Sequence, residues 1–310
     1  MEQVRLGLDS SQPLAVQQWN SLIAINYAAR KFDVKRMDTI ETARQKCPQI
    51  RFVHVQTIDE HGTVMNYDGE QPPQNIQSTL KTHKVSLARY RRESNKIMTV
   101  LQRFALTQRA SIDEAYLDLT EATNQKYLEL KKVIESNQFQ NNPSFQWEGV
   151  VLGGKFDPQT ESDMRLLVAS QLVTKIRETV FHELNYTCSA GIAPSKKFAK
   201  AVAGMNKPNQ HTILPQHFLP TLLQTFPLKK IQVLCLSVLS VLSVCLSCLS
   251  CLSVCLVCLS VLSVLSVLSC LSGLSVYLSV CLSVCLLFVF LSLYSIDVDS
   301  FWLSLVMPLM

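Results

Sequence analysis

Apolar residues recur at strand and helix spacing through the first 231 residues. Alternating or continuous apolar runs predict strands at 14–17, 50–55, 104–108, 115–119, 186–192 and 211–214. Stripes three and four residues apart predict helices at 21–31, 39–46, 85–103, 163–183, 195–205 and 216–224, after a helix end at 2–8. Polar stretches at 57–82 and 135–160 predict loops. This mixed order predicts an α+β fold with a palm-like sheet layer.

The pattern changes completely after about residue 232, where the chain cycles through Cys, Leu, Ser and Val as far as about Leu286. No charged residue occurs between Lys230 and Asp297. An uncharged, apolar run of this length is typical of a membrane-spanning helix. However, it has no basic residues on its far side, no aromatic belt and no polar loop between spans.

Two other interpretations of this tail are open. Cys245, Cys248 and Cys251 have the spacing of metal ligands, but the repeat itself produces that spacing. Alternatively, a tandem tetranucleotide read through in any frame gives Cys-Leu-Ser-Val repeatedly. We favour this last interpretation and predict that residues 232–310 are a low-complexity apolar tail produced by a gene-model artefact.

Charge and cysteine are concentrated in opposite parts of the chain. All 29 Lys and Arg and all but two of the 24 acids lie in residues 1–231, which gives this body a net charge of about +7 (29 − 22). A moderately basic body is compatible with a polyanionic partner. Cys47 and Cys188 are the body's two cysteines, which excludes a disulfide framework. The first 20 residues have no secretory signal pattern.

Two adjacent acids, Asp113 and Glu114, lie between the predicted strands 104–108 and 115–119. This order predicts an acidic hairpin. Neighbouring residues of a strand point to opposite faces, so a bend or bulge is needed for both carboxylates to converge. Converging carboxylates repel unless a divalent cation lies between them, and Mg²⁺ or Mn²⁺ is the natural choice. Two such ions about 3.5–4 Å apart promote in-line phosphoryl transfer. The alternative is a solvent-facing pair on a turn.

Further candidate residues lie on the predicted helix 195–205. Lys196, Lys197 and Lys200 form a cluster that suits contact with DNA phosphates. A solvated helix face explains the same cluster equally well.

Four separate blocks resemble one family. Residues 18–32 and 35–39 resemble the fingers region of Y-family translesion DNA polymerases. Residues 85–94 and 110–120 resemble the DNA polymerase eta branch as it occurs in fungal-type eukaryotes, and 188–192 with 203–209 complete the pattern. The resemblance implies a partial, UmuC-like catalytic core over 1–231. Within it we expect the fingers at about 14–56, the palm at about 85–215 and the start of the thumb at about 216–231.

The resemblance also implies roles for single residues. Asp113 and Glu114 match the catalytic palm carboxylates: the Asp binds metal, and the Glu supports the site near the primer 3′ hydroxyl. Tyr27, Arg30 and Lys207 match residues that hold the incoming triphosphate. Arg36 matches a mobile arginine over the nucleotide, and Gln18 matches a contact to the templating base. Taken singly, these residues fit helix-end cations, core packing, loop charges or an exposed amide as well.

The activity that the resemblance implies is DNA-directed DNA synthesis past ultraviolet photoproducts during DNA repair. Its substrates are primer–template DNA and deoxynucleoside triphosphates, its cofactor is Mg²⁺ with Mn²⁺ as the alternative, and its location is the nucleus. A sliding clamp is a partner of the full-length family member, but its binding motif does not occur in this sequence. A membrane location applies only if the tail is real.

The resemblance fails at both ends of the chain. The family begins with a strand carrying an Asp-Met-Asp type motif, which supplies another metal ligand, and Met1 aligns with the helix that follows it. The thumb and the DNA-gripping little finger are also missing after residue 231. We therefore expect the chain as written to lack activity. A membrane-anchored protein without catalysis, a DNA-binding fragment and another Y-family branch are the alternatives.

Overall fold

The structure is a computed structural model that describes residues 1–67, 76–135, 146–154, 156, 160–225 and 302–306. They belong to two compact units, one formed by 1–216 with 299–310 and the other by 217–298. Helices and strands are both abundant, so the predicted α+β class is confirmed. None of the described helices combines the length and the apolar composition needed to span a bilayer.

The strands are β1 Leu14–Gln18, β2 Ser21–Ile25, β3 Arg51–His54, β4 Gln56–Ile58, β5 Val64–Met65, β6 Lys84–Ser86, β7 Leu106–Arg109, β8 Glu114–Asp118, β9 Val150–Val151, β10 Ser189–Ala193, β11 His211–Ile213 and β12 Trp302–Val306. The helices are α1 Glu2–Arg5, α2 Tyr27–Arg30, α3 Ile40–Lys46, α4 Ile76–Thr82, α5 Ala88–Leu101, α6 Thr120–Glu135, α7 Glu161–Leu184, α8 Lys196–Ala203 and α9 Leu219–Thr225.

A six-stranded sheet with the order β7-β8-β12-β10-β11-β9 is the largest in the described structure. The third strand in this order, β12, comes from the C-terminal end of the chain and pairs antiparallel with both β8 and β10. Leu303 lies opposite Leu117 on one side and Ile192 on the other, and all three are fully buried. The tail residues 302–306 therefore form a central strand of the apolar core.

Helices cover the two faces of this sheet. Helix α8 packs closely on β10, because a Cβ at Gly191 would lie 2.1 Å from the Ala199 carbonyl oxygen. Only glycine allows this approach of helix to strand. Alternate residues of the strands point to the opposite face, where Ala190 and Ile192 join a core that includes α5 and the long helix α7.

A second sheet, with the order β2-β1-β3, corrects one prediction. Residues 21–31 form strand β2 followed by the short helix α2, and the prediction of one helix was wrong. The register shifts so that Val16 faces Ala24 while Gln17 faces Leu22. The extra residue in β2 turns both Leu22 and Ile25 inward, three positions apart. The bulge therefore gives the apolar residues of β2 the spacing that is typical of a helix.

Asn26 separates β2 from α2. Its Oδ1 accepts hydrogen bonds from the backbone N–H of Leu14 and of Ala29, at 3.0 and 2.9 Å. Its Nδ2 donates to the Gln12 carbonyl at 2.7 Å. The side chain therefore caps α2 and fastens it to the start of β1, which stops a continuous helix.

The predicted loop at 57–82 contains regular structure. Strands β4, β5 and β6 form a three-stranded sheet, and α4 lies between β5 and β6 along the chain. Asp59 makes the turn between β4 and β5, since its Oδ1 accepts from the N–H of His61 and Thr63 at 3.0 and 2.7 Å. Residues 68–75 lie outside the described part of the chain.

Most other predictions agree with the structure within a few residues. Helix α3 is capped by Thr39, and α8 by Ser195, whose hydroxyl oxygens accept backbone N–H bonds. Helices α5 and α7 confirm the predictions at 85–103 and 163–183. Helix α6 was not predicted. Asp118 prepares its first turn by accepting from the N–H and hydroxyl of Thr120, at 3.1 and 2.6 Å.

Three predicted segments lie partly outside the described residues. The loop at 135–160 is described only at its edges, where β9 occurs. In the predicted start of the thumb, a 3-10 turn at Gln216–Phe218 leads into α9, and 226–231 are not described. In the tail only 302–306 are described, so the cysteine spacing and the artefact prediction stay untested.

Ser304 in β12 gives a stability prediction. It is 1% exposed, and its hydroxyl has no hydrogen-bond partner. Because an unsatisfied buried hydroxyl costs free energy, Ser304→Ala is expected to raise the free energy of unfolding by about 1 kcal/mol in urea titrations. Ser170→Ala is the control, since the Ser170 hydroxyl donates to the Leu167 carbonyl at 2.9 Å. The control substitution is expected to lower the free energy of unfolding by about 1 kcal/mol. An equal decrease in both variants would contradict the prediction.

Candidate active site

The acidic pair lies at a tight turn between β7 and β8. These strands pair antiparallel, so the predicted acidic hairpin is present. The backbone N–H groups of Ala110 and Ser111 both donate to the Glu114 carbonyl, at 2.9 and 3.1 Å. Asp113 lies in the bend, and Glu114 is the first residue of β8. The bend that two converging carboxylates require is therefore provided by the turn itself.

Asp113 is fixed by its own turn. The Ser111 hydroxyl donates to Asp113 Oδ1 at 2.6 Å, and the Asp113 N–H donates back to that hydroxyl at 3.2 Å. Both bonds are exposed to solvent. One carboxylate oxygen is thus restrained by a neutral donor, while the other keeps its full capacity to bind a cation.

Glu114 is held from the neighbouring helix. Its Oε2 forms an ion pair with Lys200 of α8, and both side chains are about one third exposed or less. Helix α8 brings Lys200 there because it packs on β10 and β12, beside β8. Contact with DNA phosphates and a solvated helix face were equally open for Lys200, and the structure pairs it with Glu114 of the acidic hairpin.

Lys207 connects the acids with the basic residues of the site. Partial desolvation lowers its pKa below the ordinary 10.5. Glu114 and, more weakly, Asp113 act to raise that pKa. Arg30 and Lys200 act to lower it. The Lys207 ammonium therefore lies within electrostatic reach of two carboxylates and two other cations, all of them brought together from four separate elements.

Helix α2 supplies Tyr27 and Arg30 as one unit. The Arg30 guanidinium carbon lies 5.1 Å from the centre of the Tyr27 ring, and Arg30 Nε donates to the Ile25 carbonyl at 3.3 Å. Burial raises the pKa of the Tyr27 hydroxyl, and Arg30 opposes that shift. The tyrosine is therefore neutral and available as a hydrogen-bond donor, while the exposed arginine keeps free N–H groups.

Two predicted residues stand apart from this group. Gln18 ends β1 half-buried and pairs with Ser21 in the register of the sheet. Arg36 is exposed in the loop between α2 and α3. The described hydrogen bonds and ion pairs bring neither residue to the acidic hairpin. Gln17, which was not predicted, is buried, and its Nε2 donates to the Trp19 carbonyl at 2.6 Å.

The donor set was compared with what a divalent cation needs. Among the described residues, no cluster of three or more His, Cys, Asp or Glu side chains could hold a metal ion. Mg²⁺ is commonly bound through one or two carboxylates, with waters and substrate phosphates completing its ligands. Asp113 and Glu114 fit one such ion. A second ion requires a further carboxylate beyond those that the described residues bring together.

The other lysines of α8 have different surroundings. Lys196 Nζ donates to Gln108 Oε1 at 2.7 Å and lies 4.0 Å from the centre of the Trp302 ring. It therefore ties α8 to both β7 and β12. No sequence pattern could have found this contact, because Gln108, Lys196 and Trp302 are far apart along the chain.

His211 is the first residue of β11, lies shortly after the turn that contains Lys207, and is fully buried. Its Nδ1 accepts a hydrogen bond from Arg177 Nη1 at 3.1 Å, because a guanidinium can only donate. Burial, and then the charge of Arg177, lower the pKa of His211 from 6.5 to about 4, while the Glu148 backbone acts in the opposite direction. His211 is therefore neutral at physiological pH.

This histidine predicts a pH dependence of stability. Between pH 6.5 and 4 the unfolded chain binds a proton at His211 and the folded chain does not, so stability falls as the pH falls through this window. The loss approaches roughly 3 kcal/mol at the acid end. His211→Gln keeps an acceptor for Arg177 but cannot titrate. Urea unfolding at pH 7, 6, 5 and 4.5 is expected to show a smaller loss in this variant.

His54 makes the comparison with the wild type necessary. Burial also lowers the pKa of His54, so both proteins keep that contribution and only their difference reports on His211. The prediction fails if the variant and the wild type lose stability in parallel over this range.

The chain is similar to one protein family and to several curated proteins. The model of a family described as the impB/mucB/samB family matches residues 1–204. N-acetyltransferase eso1 of Schizosaccharomyces pombe is 34% identical over 251 residues, which cover 76% of this chain and 28% of that protein.

Two further relatives carry a polymerase name. DNA polymerase eta of Drosophila melanogaster is 32% identical over 255 residues, covering 72% of this chain and 26% of the fly protein. DNA polymerase eta of Saccharomyces cerevisiae is 31% identical over 255 residues, covering 69% of this chain and 39% of the yeast protein. The chain thus spans between about a quarter and two fifths of the length of these curated relatives.

Proposed function

Because the chain belongs to the impB/mucB/samB family, whose model matches two thirds of it, we propose that its body catalyses DNA-directed DNA synthesis. The reaction adds a deoxynucleotide to the primer 3′ hydroxyl and releases pyrophosphate. Relatives named DNA polymerase eta support this proposal. Its substrates are primer–template DNA and deoxynucleoside triphosphates.

One observation carries the proposal. The two carboxylates lie at the turn of the β7–β8 hairpin, Lys200 of α8 pairs with Glu114, and Lys207 lies within electrostatic reach of both acids and of Arg30. A triphosphate with a divalent cation has the complementary arrangement, since its phosphates need cations and its metal needs carboxylates. A surface ion pair alone would not need groups from four elements.

The residues have separate roles in this proposal. Arg30 and Lys207 bind and orient the triphosphate and neutralise charge that moves to the leaving group. Tyr27, kept neutral, donates a hydrogen bond beside Arg30. Asp113 and Glu114 hold Mg²⁺, which supplies Lewis-acid stabilisation of the developing charge when it is bound.

Glu114 has to exchange its partner during this cycle. In the structure Lys200 occupies Glu114 Oε2. When the carboxylate turns to a cation, the Lys200 ammonium becomes available for a phosphate oxygen. Lys200 therefore acts as a counter-charge that moves from the protein's own acid to the substrate.

Finer features are also proposed. We propose synthesis past ultraviolet photoproducts, a role in DNA repair and a nuclear location, as the resemblance to translesion polymerases of the eta branch implies; relatives named DNA polymerase eta support that branch. A two-ion mechanism and a sliding-clamp partner belong to the same proposal for the complete family member. Because the described residues bring two carboxylates together, we propose that the chain by itself lacks appreciable activity and incorporates nucleotides very slowly at most.

Primer extension tests this function. The full chain is incubated with a labelled primer–template, the four deoxynucleotides and Mg²⁺ or Mn²⁺, on undamaged and photoproduct-bearing templates. Slow incorporation that depends on the metal and on the template base is expected. The Asp113→Asn, Glu114→Gln double variant serves as the control for contaminating polymerases. If the double variant extends the primer as well as the wild type does, the proposed synthesis is wrong. If the wild type extends it as fast as a complete polymerase does, the proposed low activity of this chain is wrong.

A DNA-binding role without catalysis is the second candidate. The observation that favours it is the ion pair of Glu114 with Lys200, which neutralises one of the two metal-binding acids. In that case the chain binds primer–template DNA with a strong dependence on salt, and no metal stimulates it. Filter binding without any extension would favour this role over synthesis.

A further inference from the structure

Arg177 joins three segments of the chain with one guanidinium. It lies on α7, and its Nε donates to the Cys188 carbonyl, just before β10, at 3.0 Å. Its Nη1 donates to His211 Nδ1 at 3.1 Å. Its Nη2 donates to both the backbone carbonyl and the side-chain Oδ1 of Asn209, at 2.7 Å each. Every nitrogen of the guanidinium is therefore engaged by neutral acceptors.

Asn209 needs this support. Its backbone has a φ of 47°, in the left-handed region that L-residues rarely adopt. Asparagine tolerates this conformation better than most residues, but the conformation is still unfavourable without local hydrogen bonds. Two bonds from Arg177 fix both the carbonyl and the side chain of Asn209, so they fix the direction in which the preceding residues leave the turn.

The residue that leaves this turn toward the carboxylates is Lys207, two positions before Asn209. On the other side of the turn, the Gln210 carbonyl accepts from the Ala190 N–H at 3.0 Å, which anchors it to β10. The turn is thus fastened at 209 and 210, and Lys207 leaves it with an exposed side chain. An ammonium on a long side chain binds a phosphate best when its backbone is fixed beforehand.

We propose that Arg177 is a positioning residue that sets Lys207 for binding the triphosphate. This inference rests on the function proposed above. Arg177 acts through the Asn209 turn and does not touch the nucleotide. Its charge is a secondary matter, because all four of its bonds go to neutral acceptors; its planar fork of donors is what the turn requires.

The first test uses Arg177→Lys, which keeps the charge and loses the fork. Its deoxynucleotide affinity, measured on the chain with primer–template and Mg²⁺, is expected to fall about tenfold. Arg165→Lys is the matched control, since Arg165 lies on the same helix and pairs with Glu161 at 2.6 Å. The control is expected to keep wild-type affinity.

A double-mutant cycle separates positioning from general stability. Lys207→Ala is made alone and together with Arg177→Lys. If Arg177 works through Lys207, adding Arg177→Lys to Lys207→Ala causes no further loss of deoxynucleotide affinity. Additive losses in the double variant, or full affinity in Arg177→Lys, would overturn the inference.

Amide hydrogen exchange supplies a test that does not depend on nucleotide binding. Exchange at 206–211 is expected to become at least about tenfold faster in Arg177→Lys, and to stay unchanged in Arg165→Lys. Unchanged exchange at this turn would overturn the inference even if affinity fell. If the wild-type chain binds no deoxynucleotide, the proposed function fails, while the exchange result still decides whether Arg177 holds the turn.

Discussion

Replacing Asp113 with Asn is expected to weaken Mg²⁺-dependent binding of a deoxynucleoside triphosphate by about 100-fold or more. The physical reason is the loss of a carboxylate that is held in place by Ser111 and offers its second oxygen to a cation. Removal of groups that only orient a ligand already costs about 10–100-fold in metal affinity, so loss of the ligand itself costs at least that much. The measurement is nucleotide affinity on the primer–template complex, with and without Mg²⁺.

Asp118→Asn is the control for this substitution. Asp118 is the last residue of β8, the strand that follows Asp113, and its substitution removes the same charge, but its Oδ1 accepts from the N–H of Thr120 at the start of α6. Asn replaces Asp at helix starts with little cost, so this variant is expected to bind the nucleotide normally. If Asp113→Asn keeps the tightening that Mg²⁺ produces, Asp113 is not a metal ligand and the proposed mechanism is wrong.

Replacing Leu303 with Asp is expected to lower the free energy of unfolding by about 4 kcal/mol or more. Leu303 is fully buried in the middle of the six-stranded sheet, between Leu117 and Ile192. A carboxylate there has no cationic partner among its strand neighbours, and the cavity left by leucine adds to the cost. Urea unfolding followed by circular dichroism measures the effect.

Leu106→Asp is the matched control, because Leu106 lies on β7 of the same sheet and is 78% exposed. It is expected to lower the stability by about 1 kcal/mol or less, mostly because Asp118 lies directly opposite it on β8. Equal and small effects at both positions would show that 302–306 do not form β12. The result therefore also tests whether part of the Leu-Ser-rich tail belongs to the folded body.

The fold was predictable where local patterns are decisive. The helices predicted to start at 39 and 195 do start there, because Thr39 and Ser195 cap them through contacts that span only three residues. The prediction failed at 21–31, where a bulge in β2 put Leu22 and Ile25 on one face at helical spacing. Bulges depend on the partner strand, β1, and the sequence of β2 alone does not reveal them.

The candidate site divides in the same way. Asp113 and Glu114 were predictable because two adjacent acids between strand-like runs form a local hairpin. The pairing of Glu114 with Lys200, and the hold of Arg177 on Asn209, join residues far apart along the chain. Gln18 and Arg36 were predicted only by resemblance, and their roles in nucleotide and template binding stay predictions.

Strand β12 was hidden from sequence analysis for a different reason. Its residues Trp302–Val306 follow a long run of Leu, Ser, Val and Cys, against which four more apolar residues and a serine carry no signal. Only pairing with β8 and β10 distinguishes them. The composition that favours a translated simple repeat is thus compatible with a short segment that completes a sheet.

The position of β12 has a consequence for biosynthesis. About 180 residues separate it from β8, so at roughly 5–20 residues per second the ribosome makes β8 some 10–40 s before its neighbour. During that delay the inner edge of β8, and later also that of β10, has unpaired N–H and C=O groups, which recruit strands from other nascent chains. The yield of soluble protein should therefore rise when chaperones are abundant and when translation of the last hundred codons is fast.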